Sequence, residues 1–115
     1  MSVARAPRSR PARGDIWLIS LDPTRGSEIQ NTRPCVVVSP PEINDHLRVV
    51  LVAPLTSGSR PAPFRIATTV GGQPGLMLLE QVRAVDANRF VKKLGQLDRL
   101  TLHAALAVLR ELFAN

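Results

Sequence analysis

The residues best suited to chemistry stand at the ends of apolar runs. In "SEIQNTRPCVVVSPPEIN" (27–44), Arg33 and Pro34 directly precede "CVVVS", and in "RVVLVAPLTS" Thr56 and Ser57 directly follow one. A guanidinium presents a fork of donors and keeps its charge at neutral pH, so Arg33 suits stabilisation of negative charge on oxygen and is a poor general base. The Thr56 hydroxyl can donate to such an oxygen, and a β-branched side chain at a strand end has little rotamer freedom. Glu28, in the loop ahead of Arg33, either pairs with that arginine or, with a raised pKa, accepts a proton. Each position also has a purely structural reading. The residue before a proline is extended and ends a loop well, and a Thr-Ser pair at a strand end often bonds its own backbone.

Other reactive residue types are few. His46 has the near-neutral pKa of a proton carrier, but it has no second histidine near it in sequence and reads as a solvent-side residue of "EINDHL"; His103 reads as a first-turn helix residue. Two distant histidines and one cysteine make no metal-ligand pattern, so neither a metal nor a cofactor is expected. Cys35 reads as a small buried hydrophobe. A lone cysteine excludes an internal disulfide and fits a reducing cytoplasm, and no apolar run approaches a membrane span or a signal peptide. The expected setting is cytoplasmic, with no membrane partner.

The net charge of +6 over 115 residues is unevenly placed. Arg5, Arg8, Arg10 and Arg13 precede the first acid; beyond them 11 basic and 9 acidic side chains leave +2. Residues 1–12, proline-containing and without apolar periodicity, read as a disordered basic tail, either solvated and functionless or adding salt-sensitive affinity for a polyanion. The domain is expected over 13–115. Its aromatics, Trp17, Phe64, Phe90 and Phe113, are too few for a surface that stacks successive bases on rings.

These groups must be held by a framework, and the apolar pattern supplies one. "DIWLISL" (15–21) predicts a buried strand, ending at the Asp22-Pro23 turn that opens a loop of about ten residues. "CVVVS" (35–39) predicts the second strand, stopped by Pro40-Pro41. "EINDHL" predicts a helical turn and "RVVLVAPLT" a third strand. "FRIATTV" and "GLMLLEQVRAV" predict two strands joined through "GGQP", and "VKKLGQL" a last short one. The period then changes: Leu102, Leu106, Leu109 and Phe113 mark an amphipathic helix, with Thr101 placed to cap it and Leu100 as a staple. Five to six short strands and a C-terminal helix predict an antiparallel, barrel-like α+β domain.

Four blocks in this order, "RGDIWLISLDPTRGSE", "RPCVVVSP", "APLTS" and "EQVRAVD", make the chain from Arg13 onward similar to the MazF/PemK toxins, the ribonuclease halves of bacterial toxin–antitoxin pairs. The resemblance implies an SH3-like barrel that dimerises and an endoribonuclease that cuts single-stranded RNA without metal. The 2′-hydroxyl would attack the adjacent phosphate, leaving a 2′,3′-cyclic phosphate and a 5′-hydroxyl. By position, Arg33 matches the family's catalytic arginine and Thr56 its catalytic threonine, with Glu28 as the nearby acid. Gln81 matches a glutamine near the substrate groove, though Glu80 stands where the family has aspartate. RNA contacts are expected from Arg25, Gly26, Ser57, Arg60 and Arg65, and an acidic MazE-like antitoxin is the expected inhibitor. Two alternatives are a CcdB-like gyrase poison, against which the terminal "RELFAN" lacks a tryptophan, and a non-catalytic RNA-binding module of the same fold.

Overall fold

In the computed structural model, which describes residues 10–21 and 32–115, the chain forms seven strands and two α-helices. β1 (Asp15–Ser20) and β2 (Thr32–Val37) are followed by the one-turn helix α1 (Pro41–Asn44) and the long strand β3 (Val49–Thr56). β4 (Arg65–Val70) and β5 (Gln73–Leu78) form a hairpin; β6 (Arg83–Asp86), β7 (Phe90–Gln96) and α2 (Arg99–Leu112) complete the chain. The strands run β4-β5-β3-β2-β1-β7, with β6 also on β3, and every pairing is antiparallel. The curled antiparallel sheet with a C-terminal helix is the expected α+β class.

The β-branched run explains why β2 and β3 lie at the centre. Because side chains alternate, each strand feeds both faces of the sheet. Val36, Val38, Ala53 and Leu55 join Ile16, Met77, Leu79 and Ala105 of α2 in one core cluster. Cys35, Val37, Val50 and Val52 join Ile19 and Val85 in a second, walled by Trp17, Leu21 and Phe90. Trp17 and Phe90 meet edge to face at 5.4 Å.

The structure corrects several expected boundaries. "GLMLLEQVRAV" is two strands, not one, which raises the strand number to seven. Three steps back along β3, from Leu55 to Val52, take six along the opposite segment, from Met77 to Arg83. The three extra residues are a 3-10 turn at Leu79–Gln81, with the Leu79 side chain fully buried. β2 starts at Thr32 rather than Cys35, so Arg33 lies within it, paired with Ile19 of β1. Asp98, not Thr101, caps α2: its Oδ1 accepts the Thr101 N–H at 2.7 Å, and this bond lowers the Asp98 pKa. Leu100 is 82% exposed and no staple, while Leu97 in front of the cap packs on the first cluster. Phe113, expected on the buried stripe, is 76% exposed because the helix has ended at Leu112.

Part of the basic N-terminal segment is tied to the body. Arg10 donates to the Asn44 carbonyl at 3.0 Å, and the Ala12 N–H donates to the Asp15 carboxylate at 2.9 Å. Asp15 is 2% exposed and also accepts from Trp17 Nε1 (3.3 Å) and Gln96 Nε2 (3.2 Å), with Lys93 Nζ at 3.4 Å. A buried carboxylate is tolerated only when bonded in this way. It pins β1 to β7 where their register shifts, between Ile16 and Trp17.

Candidate active site

Strand parity assembles the site. The last β2–β3 pair is Cys35 with Pro54, and continuing that register by two residues sets Arg33 opposite Thr56. Ile19, Cys35, Val52 and Val85 belong to the second core cluster, and one or two alternations further toward the same end stand Leu21, Arg33, Pro54, Thr56 and Arg83. The apolar face therefore continues into a polar mouth. There a hollow of about 310 Å³ is lined by those five residues together with Ser59, Leu78 and Gln81.

Arg33 and Thr56 also line a second hollow, of about 450 Å³. Its other walls are Thr32, Pro34, Leu55 and Ser57 from the ladder end, and Thr68, Val70, Gln73, Pro74 and Gly75 from the β4–β5 hairpin. Pro34 and Leu55 share the parity of Val36 and Ala53, so this hollow opens on the face of the first cluster. Arg33 and Thr56 form the rim between the two. Gly75 is needed for that closeness: a Cβ on it would lie 3.0 Å from the Thr56 carbonyl oxygen.

The charge at this rim is one-sided. No carboxylate lines either hollow among the described residues, where ion pairs are confined to Arg48–Asp86, Arg65–Glu80 and Lys93–Asp15. Arg83 donates through Nη2 to the Leu21 carbonyl at 3.3 Å, which holds its guanidinium at the mouth. Cys35 lies just inside; burial pushes its thiol up to about 12, against the downward pull of Arg33 and Arg83. Thr56 Oγ1 accepts the Gly58 N–H at 3.3 Å, so the expected local turn is present, and that bond does not use the hydroxyl's own proton.

The other candidate residues divide. Gln81 lines the smaller hollow and Ser57 the larger. Arg65 lines neither: its Nε and Nη2 donate to Glu80 Oε2 at 3.1 and 2.6 Å and its Nη1 to the Arg60 carbonyl at 2.9 Å. The bonds to Glu80 raise the Arg65 pKa and lower that of Glu80, and with the bond to Arg60 they tie the 57–64 loop to the turn that carries Gln81. Arg60 is exposed and contributes that carbonyl. Arg25, Gly26 and Glu28 lie outside the described residues. His46 and His103 are exposed and line neither hollow.

Reading the sequence missed Arg83, Thr68 and Gln73. Arg83 had a signal, since it stands two residues before buried Val85 at the end of a strand-like run. Thr68 and Gln73 had none, because only the β4–β5 pairing brings their hairpin to Arg33. As a whole, the arrangement can bind a polyanion and stabilise charge on a central oxygen. No group of three or more His, Cys, Asp or Glu suited to a metal occurs among the described residues.

Comparison with known proteins gives the site a context. Residues 12–113 match the family described as "PemK-like, MazF-like toxin of type II toxin-antitoxin system". The Escherichia coli protein named Endoribonuclease PemK is 40% identical over 84 residues, covering 69% of this chain and 63% of its own length. That match thus spans less than two thirds of the relative. Endoribonuclease MazF9 of Mycobacterium tuberculosis is 37% identical over 100 residues, covering 78% of this chain and 85% of its own. Among solved structures, MazF of Deinococcus radiodurans superposes with a TM-score of 0.75 at 24% identity, covering 90% of this chain and 96% of its own. A MazE-MazF structure from the same organism gives 0.75 at 21% identity, covering 92% and 97%. At these identities the structural likenesses establish the fold.

Proposed function

The chain belongs to the PemK-like, MazF-like toxins of type II toxin–antitoxin systems, and on that premise we propose that it is a sequence-specific, metal-independent endoribonuclease acting on single-stranded RNA at the Arg33–Thr56 rim. The observation that carries this reading is the meeting of a guanidinium and a hydroxyl at an open ladder end, with a second guanidinium, Arg83, across the mouth. Relatives named endoribonucleases, at 40% and 37% identity, support it.

In the proposed reaction the RNA 2′-oxygen forms a bond to the adjacent phosphorus while the bond from phosphorus to the 5′-oxygen breaks. The 2′-hydroxyl proton leaves to a base, for which Glu28 is the candidate, and the departing 5′-oxygen takes up a proton. The products are a 2′,3′-cyclic phosphate and a 5′-hydroxyl. The phosphorane-like transition state carries extra charge on its non-bridging oxygens, which a fixed guanidinium stabilises more than it stabilises the ground state. Arg33 supplies that fork and Thr56 a donor beside it. Ser57, Gln81, Arg60, Arg25 and Gly26 contact the RNA, and Arg65 acts through the frame it ties together.

The functional unit is a homodimer of the 13–115 domain in the cytoplasm, where its RNA substrate lies; the basic segment before it is tied to the body at Arg10 and Ala12, and its charge adds salt-sensitive affinity. The inhibitor is a MazE-like antitoxin whose acidic segment also carries apolar anchors, since a body of +2 attracts too weakly by charge alone. The test is incubation of the purified protein with a long RNA in EDTA, followed by mapping and chemical identification of the ends. Cyclic phosphate ends at a recurring motif are expected; loss of cleavage on chelation removes the metal-independent mechanism.

A further inference from the structure

Two hollows share one rim, and they open on opposite faces of the β2–β3 ladder. Single-stranded RNA is read by splaying bases out of the stack and bonding their edges. A phosphate held at Arg33 and Thr56 has one nucleoside on each side, and the hollows, about 450 and 310 Å³, lie on either side of that rim. We infer that they are separate base-binding subsites, so that the two nucleotides flanking the cut are selected independently, by Gln73 and Thr68 in the larger hollow and by Arg83 in the smaller.

The side chains in the two hollows differ in kind. Arg83 is anchored to the Leu21 carbonyl through one nitrogen, which leaves its other donors for a ligand, and it lines a hollow with no lining carboxylate among the described residues. A fixed arginine fork fits a base edge with two adjacent acceptors, the arrangement guanine presents at O6 and N7. Among the described residues the larger hollow has no lining cation besides the shared Arg33; it offers the Gln73 amide and the Thr68 hydroxyl against apolar walls at Leu55 and Val70. An amide carries both donors and an acceptor, so it selects a base with a matching pair on one edge. The hairpin sets Gln73 opposite Val70 and Thr68 opposite Gly75, so backbone pairing brings both residues to this hollow.

This inference rests on the ribonuclease reading above. Its test is cut-site mapping on a long RNA of mixed sequence for the wild-type protein, Gln73→Ala, Arg83→Ala and Arg83→Lys, each checked by thermal unfolding. Gln73 and Arg83 are exposed, so the variants are expected to fold. Gln73→Ala should relax base preference on one side of the cut, by roughly tenfold to a hundredfold in relative rate, and leave the other side unchanged. Both Arg83 variants should relax the opposite side, the lysine included, because it keeps the charge and loses the fork. Loss of preference on the same side in the two sets, or uniformly slower cleavage with preference intact, overturns the two-subsite assignment. A wild-type protein that cuts no RNA overturns the ribonuclease reading itself, and the subsites with it.

Discussion

At one end of the β2–β3 ladder Val36, Val37, Val52 and Ala53 are fully buried; at the other, the same two strands carry Arg33 and Thr56 into open hollows. Backbone geometry is common to both ends, so the difference lies in what the side chains meet. The closed end meets two core clusters and gains roughly 25 cal/mol for each Å² of apolar surface buried. The open end meets solvent and gains little, but its side chains start from backbone that the closed end has fixed. A charge-stabilising site needs donors that do not reorganise during reaction, and the valine ladder supplies that stiffness a few residues away.

The largest effect that tests this division is on turnover. Arg33→Lys should fall close to Arg33→Ala, about a hundredfold to a thousandfold below wild type, or roughly 3–4 kcal/mol of transition-state stabilisation. Single-turnover cleavage, RNA binding and thermal unfolding together check it: affinity and melting temperature should move little. A lysine variant near wild-type rate would make Arg33 a generic cation.

Ile19→Ala probes the other side of the same pairing, since Ile19 faces Arg33 across the β1–β2 ladder yet is fully buried. Its cost should be about 3 kcal/mol of stability from lost burial and a cavity, measured by urea unfolding. The rate per folded molecule should fall far less than in Arg33→Lys. If the chemistry collapses equally, the two ends are not separable.

Cys35 lies at the boundary, and its titration sharpens the comparison. The folded thiol is held up to about 12 against an ordinary value of 9.0. Below about pH 9 both folded and unfolded thiols are protonated and Cys35 adds no pH dependence. As pH rises from there toward 12 the unfolded chain releases the proton first, so stability should fall by about 1.4 kcal/mol per pH unit. Urea unfolding at several alkaline pH values should show this slope in wild type and a weaker one in Cys35→Ala.

Glu80→Gln should have the smallest effect, because the Arg65–Glu80 pair is partly exposed and lies outside both hollows. Glu80 is lowered by its bonds to Arg65, so the pair's contribution is present at neutral pH and above, and is lost as pH falls through that lowered value. Thermal unfolding of wild type and variant should therefore converge in acid and in high salt. A difference that persists there would assign the loss to packing.

Much of this architecture was legible because its signals are local. β-Branched runs gave β1 to β4 their places, the change of period gave α2, and Arg33 and Thr56 stood out as polar residues bounding apolar runs. What escaped was set at long range. The break at Leu79–Gln81 falls inside a continuous apolar stretch, and only the register of β3 against both β5 and β6 demands it. Arg65 reads as a free cation until the fold brings Glu80 to it from 15 residues away. The helix cap passed from Thr101 to Asp98, three residues earlier, because the apolar stripe marks the helix and not the residue at which its first turn begins.

The Asp15–Gln96 contact joins residues 81 positions apart, whereas β2 and β3 are consecutive strands. Contacts distant in sequence form late because the intervening chain must first lose its freedom. During synthesis β1 therefore leaves the ribosome long before its partner β7 exists, while the strands that bear Arg33 and Thr56 can already pair. The order of assembly this imposes puts the pairing of the strands that carry Arg33 and Thr56 ahead of the closure of β1 by β7.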